Sequence, residues 1–277
     1  MEFAVFNPPG CDKCLHLPDP GRRFRKAENR YFEVVSAQQT ASTQTLVVRG
    51  LCRSYEEFVA LQDFNLTLAA GECVALIGHN GSGKTTALRT IAGLLRPSSG
   101  TVSITGLSIH AEPAAIQARA AMAVVLDTPM LYDDLSIAQH LEFVAIAHGV
   151  AGKDLGARID SLLQRFGIEH RRDARPAQLS RGMRQKVQLA CAFIRPHQLL
   201  MLDEPVVGLD PQSQRILKEQ LLAAKRDGKA VLLSTHQLEF AAGLADRAMV
   251  LADGRCVADD RYDEVMDGSV IREYGLA

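Results

Sequence analysis

Gly78-His79-Asn80-Gly81-Ser82-Gly83-Lys84-Thr85 is the stretch whose reading decides the fold. It fits G-x-x-x-x-G-K-[ST], a phosphate-binding loop when a strand precedes it and a helix follows. Cys73-Val74-Ala75-Leu76-Ile77 before it is short and apolar, as a buried strand is. After it, Leu88, Ile91, Ala92 and Leu95 recur at helical spacing, and Pro97 is expected to stop that helix. Glycines at 78, 81 and 83 let successive amides turn toward one centre, and the helix N-terminus adds partial positive charge. His79, Asn80 and Ser82 complete the cradle, and Thr86 follows Thr85 into the helix. Lys84 would reach the β- and γ-phosphates, and the Thr85 hydroxyl would bind Mg²⁺.

Composition limits the alternatives. The chain has 277 residues, 47% of them hydrophobic, which is ample for a core of one large or two small domains. Its formal net charge of −1 carries no signature of a general polyanion binder. Of six cysteines, Cys52, Cys73, Cys191 and Cys256 sit among apolar neighbours and read as small buried hydrophobes in a reducing compartment. No apolar run approaches the roughly 20 residues of a membrane helix. The chain is therefore expected to be soluble and to reach a membrane only through a partner.

Residues 1–44 differ from the rest. Pro8, Pro9, Gly10, Pro18, Pro20 and Gly21 interrupt any regular element, and Arg22, Arg23, Arg25, Lys26 and Arg30 form a basic run. The expectation is a disordered extension. Cys11-x-x-Cys14 with His16 supplies half a zinc site, but a second Cys/His pair is missing nearby, so incidental thiols are the reading.

From Leu46 onward the pattern is regular. Leu46–Val48, Phe64–Leu68 and Thr101–Ile104 read as strands, with Tyr55 between the first two. Ser136 and Gln139 form a capping box ahead of a helix with Ile137, Leu141, Val144 and Ala145 on one face, ended by Gly149. A second helix carries Ile159, Leu162, Leu163 and Phe166, and a third runs from about Gly182 to Arg195. Strand pattern returns at Leu199–Leu202, which ends in Asp203-Glu204. Asp210-Pro211 starts a helix, Ala230–Leu233 is a strand leading to Ser234-Thr235-His236, and Asp253-Gly254 marks a hairpin. The expected fold is α/β: a phosphate-loop nucleoside triphosphatase (P-loop NTPase) core, with a mixed sheet flanked by helices and an antiparallel β-subdomain. A helical subdomain at about 127–195 interrupts it, within a domain covering 45–277.

Ligands of open α/β sheets gather at strand C-termini, where Ile77, Asp203 and His236 all fall. Asp203 would hold Mg²⁺ through water. Glu204 would orient or deprotonate the attacking water, and His236 would contact the γ-phosphate. Glu204, His236 and Lys84 are thus the expected catalytic residues.

The stretch from Leu46 to about Asp267 resembles the nucleotide-binding subunit of an ATP-binding cassette (ABC) transporter. Leu179-Ser180-Arg181-Gly182-Met183 is similar to that family's LSGGQ signature, about 20 residues before Asp203. Gly208-Leu209-Asp210 resembles the loop after the acidic pair, and Tyr55 the aromatic residue that stacks on adenine. The resemblance implies ATP and Mg²⁺ as ligands. It also implies head-to-tail dimers, homo- or heteromeric, in which Ser180 and the Gly182 amide reach the γ-phosphate across the interface. Asp127, aligned through Pro129, Leu131 and Tyr132, takes the place of a glutamine that contacts Mg²⁺ and water; an Asp can still bind a hard cation. Implied partners are integral membrane permease subunits, at the cytoplasmic face, for export; no specific nucleic acid is expected. A non-transport ABC ATPase acting on ribosomes or DNA, or a regulatory ATP-binding switch, is the competing reading. Against it stand a single cassette, a short insert, and the presence of Glu204 and His236.

Overall fold

The computed structural model describes residues 44–276. The extension expected at 1–44, with Cys11 and Cys14, lies outside the described residues except for Gln44, the first residue of β1.

Two sheets build the described region. The larger has six strands in the order β10-β9-β3-β8-β7-β6. These are β3 (Cys73–Ile77), β6 (Met122–Val125), β7 (Leu199–Asp203), β8 (Ala230–Ser234), β9 (Arg247–Ala252) and β10 (Arg255–Arg261). All neighbours are parallel except β10, which returns antiparallel to β9 through Asp253-Gly254. Both turn residues have positive φ, 46° and 74°, the backbone that a tight hairpin of this hand requires. The smaller sheet is antiparallel, in the order β2-β1-β4-β5: β1 (Gln44–Tyr55), β2 (Phe58–Ala69), β4 (Ser99–Ile104) and β5 (Leu107–Ser108). Tyr55 closes β1 and does not lie in a connecting segment.

The apolar runs of the central strands are buried on both faces, and alternation divides them between two cores. Cys73, Ala75, Ile77, Leu200, Leu202, Val231 and Leu233 pack into a cluster with the helices of 137–226. Val74, Leu76, Leu199, Met201, Ala230 and Leu232 pack into the other, with β1, β2, β4 and the helix after the phosphate loop. That helix, α1 (Lys84–Ile91), is shorter than the sequence pattern suggests. Gly93, at φ 73°, ends it, and the amides of Leu94 and Leu95 fold back onto the Arg89 carbonyl. Leu95 is therefore off the helix face, and Pro97 comes after the end.

Between β4 and β6 runs α2 (Ala114–Ala120). Between β6 and β7 lie α3 (Ile137–Ala147), α4 (Leu155–Arg165) and α5 (Arg181–Ile194). Ser136 and Gln139 make both bonds of the capping box on α3. The remaining helices are α6 (Pro211–Arg226), α7 (Leu238–Ala241), α8 (Tyr262–Asp267) and α9 (Ser269–Glu273).

Candidate nucleotide site

β3, β8, β7 and β6 are consecutive parallel neighbours, so their C-terminal ends form one rim. The rim collects Gly78 from β3, Ser234 to His236 from β8, Asp203 and Glu204 from β7, and Asp127 from just beyond β6. Register fixes the last placement. Val125 pairs with Leu202, so Asp127 falls one residue past the level of Asp203.

The phosphate loop is tightly set. A Cβ on Gly78 would stand 2.4 Å from the Leu251 carbonyl, and one on Gly83 2.7 Å from the Ala60 carbonyl. Only glycine fits at either position. Lys84 is buried, and its Nζ donates to the carbonyls of Gly78 (2.6 Å) and His79 (2.9 Å). Those bonds hold the ammonium across the loop. Burial pushes the Lys84 pKa down, and the charges of Glu204 and Asp203 oppose that shift. The Ser82 hydroxyl is buried without a partner. The ring of His79 contacts the carbonyl of Tyr274 from the C-terminal segment. Thr85 and Thr86 are half-buried in the first turn of α1.

Asp203 is 1% exposed. Its Oδ1 accepts a hydrogen bond from the Ser234 hydroxyl, while Oδ2 is buried without any partner. An unsatisfied carboxylate oxygen at a buried strand end costs free energy unless a cation or ordered water meets it. That orphaned oxygen, beside a glycine cradle and a lysine, fits a hydrated Mg²⁺ on a nucleotide phosphate. Next to it, Glu204 has φ 47°, and its amide donates to the Ser234 carbonyl at 3.1 Å. Glu204 Oε2 lies 2.9 Å from His236 Nδ1. The acid side chain is mostly buried, at 15% exposure, and the histidine is half exposed at 52%. The pair can hold and pass a proton at the rim.

Ser180 is the N-cap of α5, and its Oγ accepts the Met183 amide at 3.2 Å. The hydroxyl hydrogen stays available to donate. Gly182 lies in the first turn, where amides have no intrahelical acceptor. A Cβ there would stand 2.4 Å from the Gly208 carbonyl, so glycine is required for packing as well. The exposed Arg181 runs its stem past the Gly208 backbone. Two further contacts tie α5 to the loop after Glu204. Gln185 Nε2 donates to the Pro205 carbonyl at 3.3 Å, and Lys186 pairs with Asp210 at 3.2 Å. Asp210 caps α6 through the Ser213 amide (2.9 Å) and hydroxyl (2.6 Å). Those bonds, with Lys186, hold its carboxyl below the usual range.

Two expected residues have neighbours the sequence did not foretell. The Arg53 guanidinium lies 4.3 Å over the Tyr55 ring and takes one of its faces. Asp127 Oδ1 receives Arg89 Nη2 at 3.0 Å. Arg53 and Arg89 carried no motif signal of their own. Among the described residues no group of three or more His, Cys, Asp or Glu side chains is arranged to hold a metal without a nucleotide.

This geometry is that of a phosphate-loop nucleoside triphosphatase. Comparison with known proteins narrows the class. Residues 61–207, more than half the chain, match the model of a family described as ABC transporter. The chain belongs to the ABC transporter family and is its ATP-binding, ATP-hydrolysing domain. It is 35% identical over 231 residues to the ABC-type transporter ATP-binding protein EcsA of Bacillus subtilis (strain 168), covering 83% of this chain and 93% of that one. It is also 35% identical over 228 residues to the Nod factor export ATP-binding protein I of Cupriavidus metallidurans, covering 82% and 75%. Among solved structures, an ATP-binding subunit of an ABC transporter aligns with TM-score 0.75 at 36% identity, covering 84% of this chain and 94% of that one. The cbiO1 protein of Clostridium perfringens, described as part of the ABC transporter complex cbiONQ, aligns with TM-score 0.69 at 28% identity, covering 85% of this chain and 96% of that one.

Proposed function

We propose that this ATPase powers export through separate membrane subunits, by closing and opening against a second ATP-binding domain. One observation carries the membrane-partner reading. The segment that leaves Asp127 and enters the α3–α5 helices carries an exposed apolar group: Met130 at 77% exposure, Tyr132 at 61%, Phe143 at 49% and Ile146 at 57%. Tyr132 and Phe143 meet edge to face with centroids 5.5 Å apart. Exposed aromatic clusters of this kind mark protein interaction sites. This one connects to the nucleotide rim through only a few residues, so ATP state at the rim and occupancy of the patch can be coupled. Among the described residues no helix is long and apolar enough to cross a membrane, so the pathway would belong to other chains. The patch then receives a cytoplasmic segment of such a chain, placing this subunit at the cytoplasmic face.

In this reading ATP sits on the loop of one domain with Mg²⁺ at Thr85, Asp203 and Asp127. The partner's signature turn, the counterpart of Ser180 and Gly182, closes over the γ-phosphate. Glu204 orients and deprotonates the water, assisted by His236 and Lys84, and loss of phosphate weakens the interface. Export, as the direction, is supported by the likeness to the Nod factor export subunit. The test is affinity capture of the tagged protein from solubilised membranes, followed by identification of the chains it retains. A multi-span membrane chain should be recovered, and recovery should fall when Phe143 and Tyr132 are changed to serine. Consistent capture of ribosomal or DNA-bound complexes, with no membrane chain, would overturn the reading.

A further inference from the structure

The Arg89–Asp127 pair joins two elements of the nucleotide rim that are 38 residues apart in sequence. Arg89 stands in the last turn of α1, the helix whose first residue is Lys84. Asp127 follows β6, one residue past the level of the metal-competent Asp203. Five residues of helix separate Arg89 from Lys84, about 7.5 Å along the axis. A carboxylate on the same rim as a triphosphate is unfavourable, because both are anions. Each side chain of the pair is 39% exposed, and a half-exposed ion pair contributes little to folding. Its position suits electrostatic balance at the rim better than fold stability.

We propose that Arg89 is the positioning residue for Asp127. It neutralises the carboxylate and holds Oδ1, leaving the other oxygen for the water shell of a bound cation. The Arg89 bond is made to Oδ1, not Oδ2. Without Arg89 the carboxylate would repel the incoming nucleotide; with it, an aspartate is tolerated where a neutral side chain would otherwise be needed. The inference rests on reading the loop and rim as the ATP site.

The test measures ATP affinity, with a fluorescent ATP analogue, in excess chelator and again with Mg²⁺. The proteins are wild type, R89A, R89K, D127Q and R89A/D127Q. An uncompensated unit charge on the same rim as the triphosphate corresponds to roughly a three- to thirty-fold loss of metal-free affinity for R89A. R89K keeps the charge and should stay within about two-fold of wild type, which also guards against a folding defect. R89A/D127Q should recover to within about two-fold of D127Q, because removing the carboxylate removes the need for its partner. A pair that serves only the fold would instead lower Tm in R89A and leave its metal-free affinity unchanged. Unchanged affinity in R89A, or a double variant as weak as R89A, overturns the proposal. K84A is measured alongside: if it binds ATP as wild type does, the site reading itself fails, and this proposal with it.

Discussion

Two helix glycines should respond to the same substitution with opposite signs. Gly182 lies in the first turn of α5, and a Cβ there would stand 2.4 Å from the Gly208 carbonyl oxygen. Ordinary contact begins near 3.4 Å, so Gly182→Ala demands that helix and loop separate by about 1 Å. The neighbour is backbone and cannot rotate away. The loop is also fastened to α5 through Gln185–Pro205 and Lys186–Asp210, so it cannot retreat alone. Overpacking of this kind costs about 1–3 kcal/mol. At about 2–4 °C per kcal/mol for a domain of this size, Tm should fall by roughly 3–10 °C. Gly156, in the first turn of α4, is exposed and has nothing within 4 Å of its Cβ position. Gly156→Ala has no steric cost and narrows the unfolded ensemble, so it should gain up to about 0.5–1 kcal/mol. The assay is thermal unfolding of both variants without nucleotide, with circular dichroism at two wavelengths to check a single transition. If Gly182→Ala melts at or above wild type, the close approach to Gly208 is not a constraint and the reasoning fails.

Glu204→Gln preserves shape and an oxygen acceptor for His236, so ATP affinity and Tm should hold while turnover falls by about 10²–10⁴-fold; steady-state phosphate release near the wild-type rate would remove Glu204 from the role of base. His197 is 5% exposed, and burial lowers its pKa to about 4. The unfolded chain takes up that proton near pH 6.5 and the folded one only near 4, so stability contributed by neutral His197 should drain away as pH falls through this window. The loss should reach about 2–3 kcal/mol, and a Tm profile equally steep in His197→Gln would show that the fall has another source.

Sequence legibility followed locality. The phosphate loop was readable because its strand, glycines, lysine and helix are contiguous, and the capping box on α3 because Ser136 and Gln139 are three residues apart. Short or weakly patterned elements were not. β6 has four residues and follows the alanine-rich α2, so it shows neither a bounded apolar run nor an alternation. The end of α1 was misplaced because the apolar spacing runs on through Leu95, whereas the left-handed Gly93 turns the chain first. Pairings made by topology were invisible for the same reason. Nothing in the sequence brings Arg89 to Asp127 or Lys186 to Asp210, since the contacts exist only once β6 and β7 are parallel neighbours and α5 lies along the loop after Glu204. Gly182 was legible as a signature glycine, and its second constraint, the Gly208 carbonyl, was not.

Those unseen contacts bear on how one end of the molecule informs the other. The first two turns of α5 meet the loop after Glu204 at Gly182–Gly208, Gln185–Pro205 and Lys186–Asp210, and the last of these anchors α6 as well. The three contacts lie along one helical face, at positions 182, 185 and 186, which is the i, i+3, i+4 spacing of a single stripe. A displacement of the exposed Ser180 tip therefore cannot be absorbed within α5. It must either break those contacts together or carry the loop with it, and the loop begins at Glu204, whose left-handed backbone and bonds to Ser234 hold it at the rim. Close packing makes the second course the cheaper one, because a backbone-to-backbone approach admits little slack. Glu204 and the Ser180 turn of one chain thus form a single mechanical unit, even though the proposed closed dimer would use them at opposite nucleotides. In the proposed dimer, a displacement of the Ser180 turn by the partner's nucleotide would therefore reach Glu204 of its own chain through roughly two turns of helix.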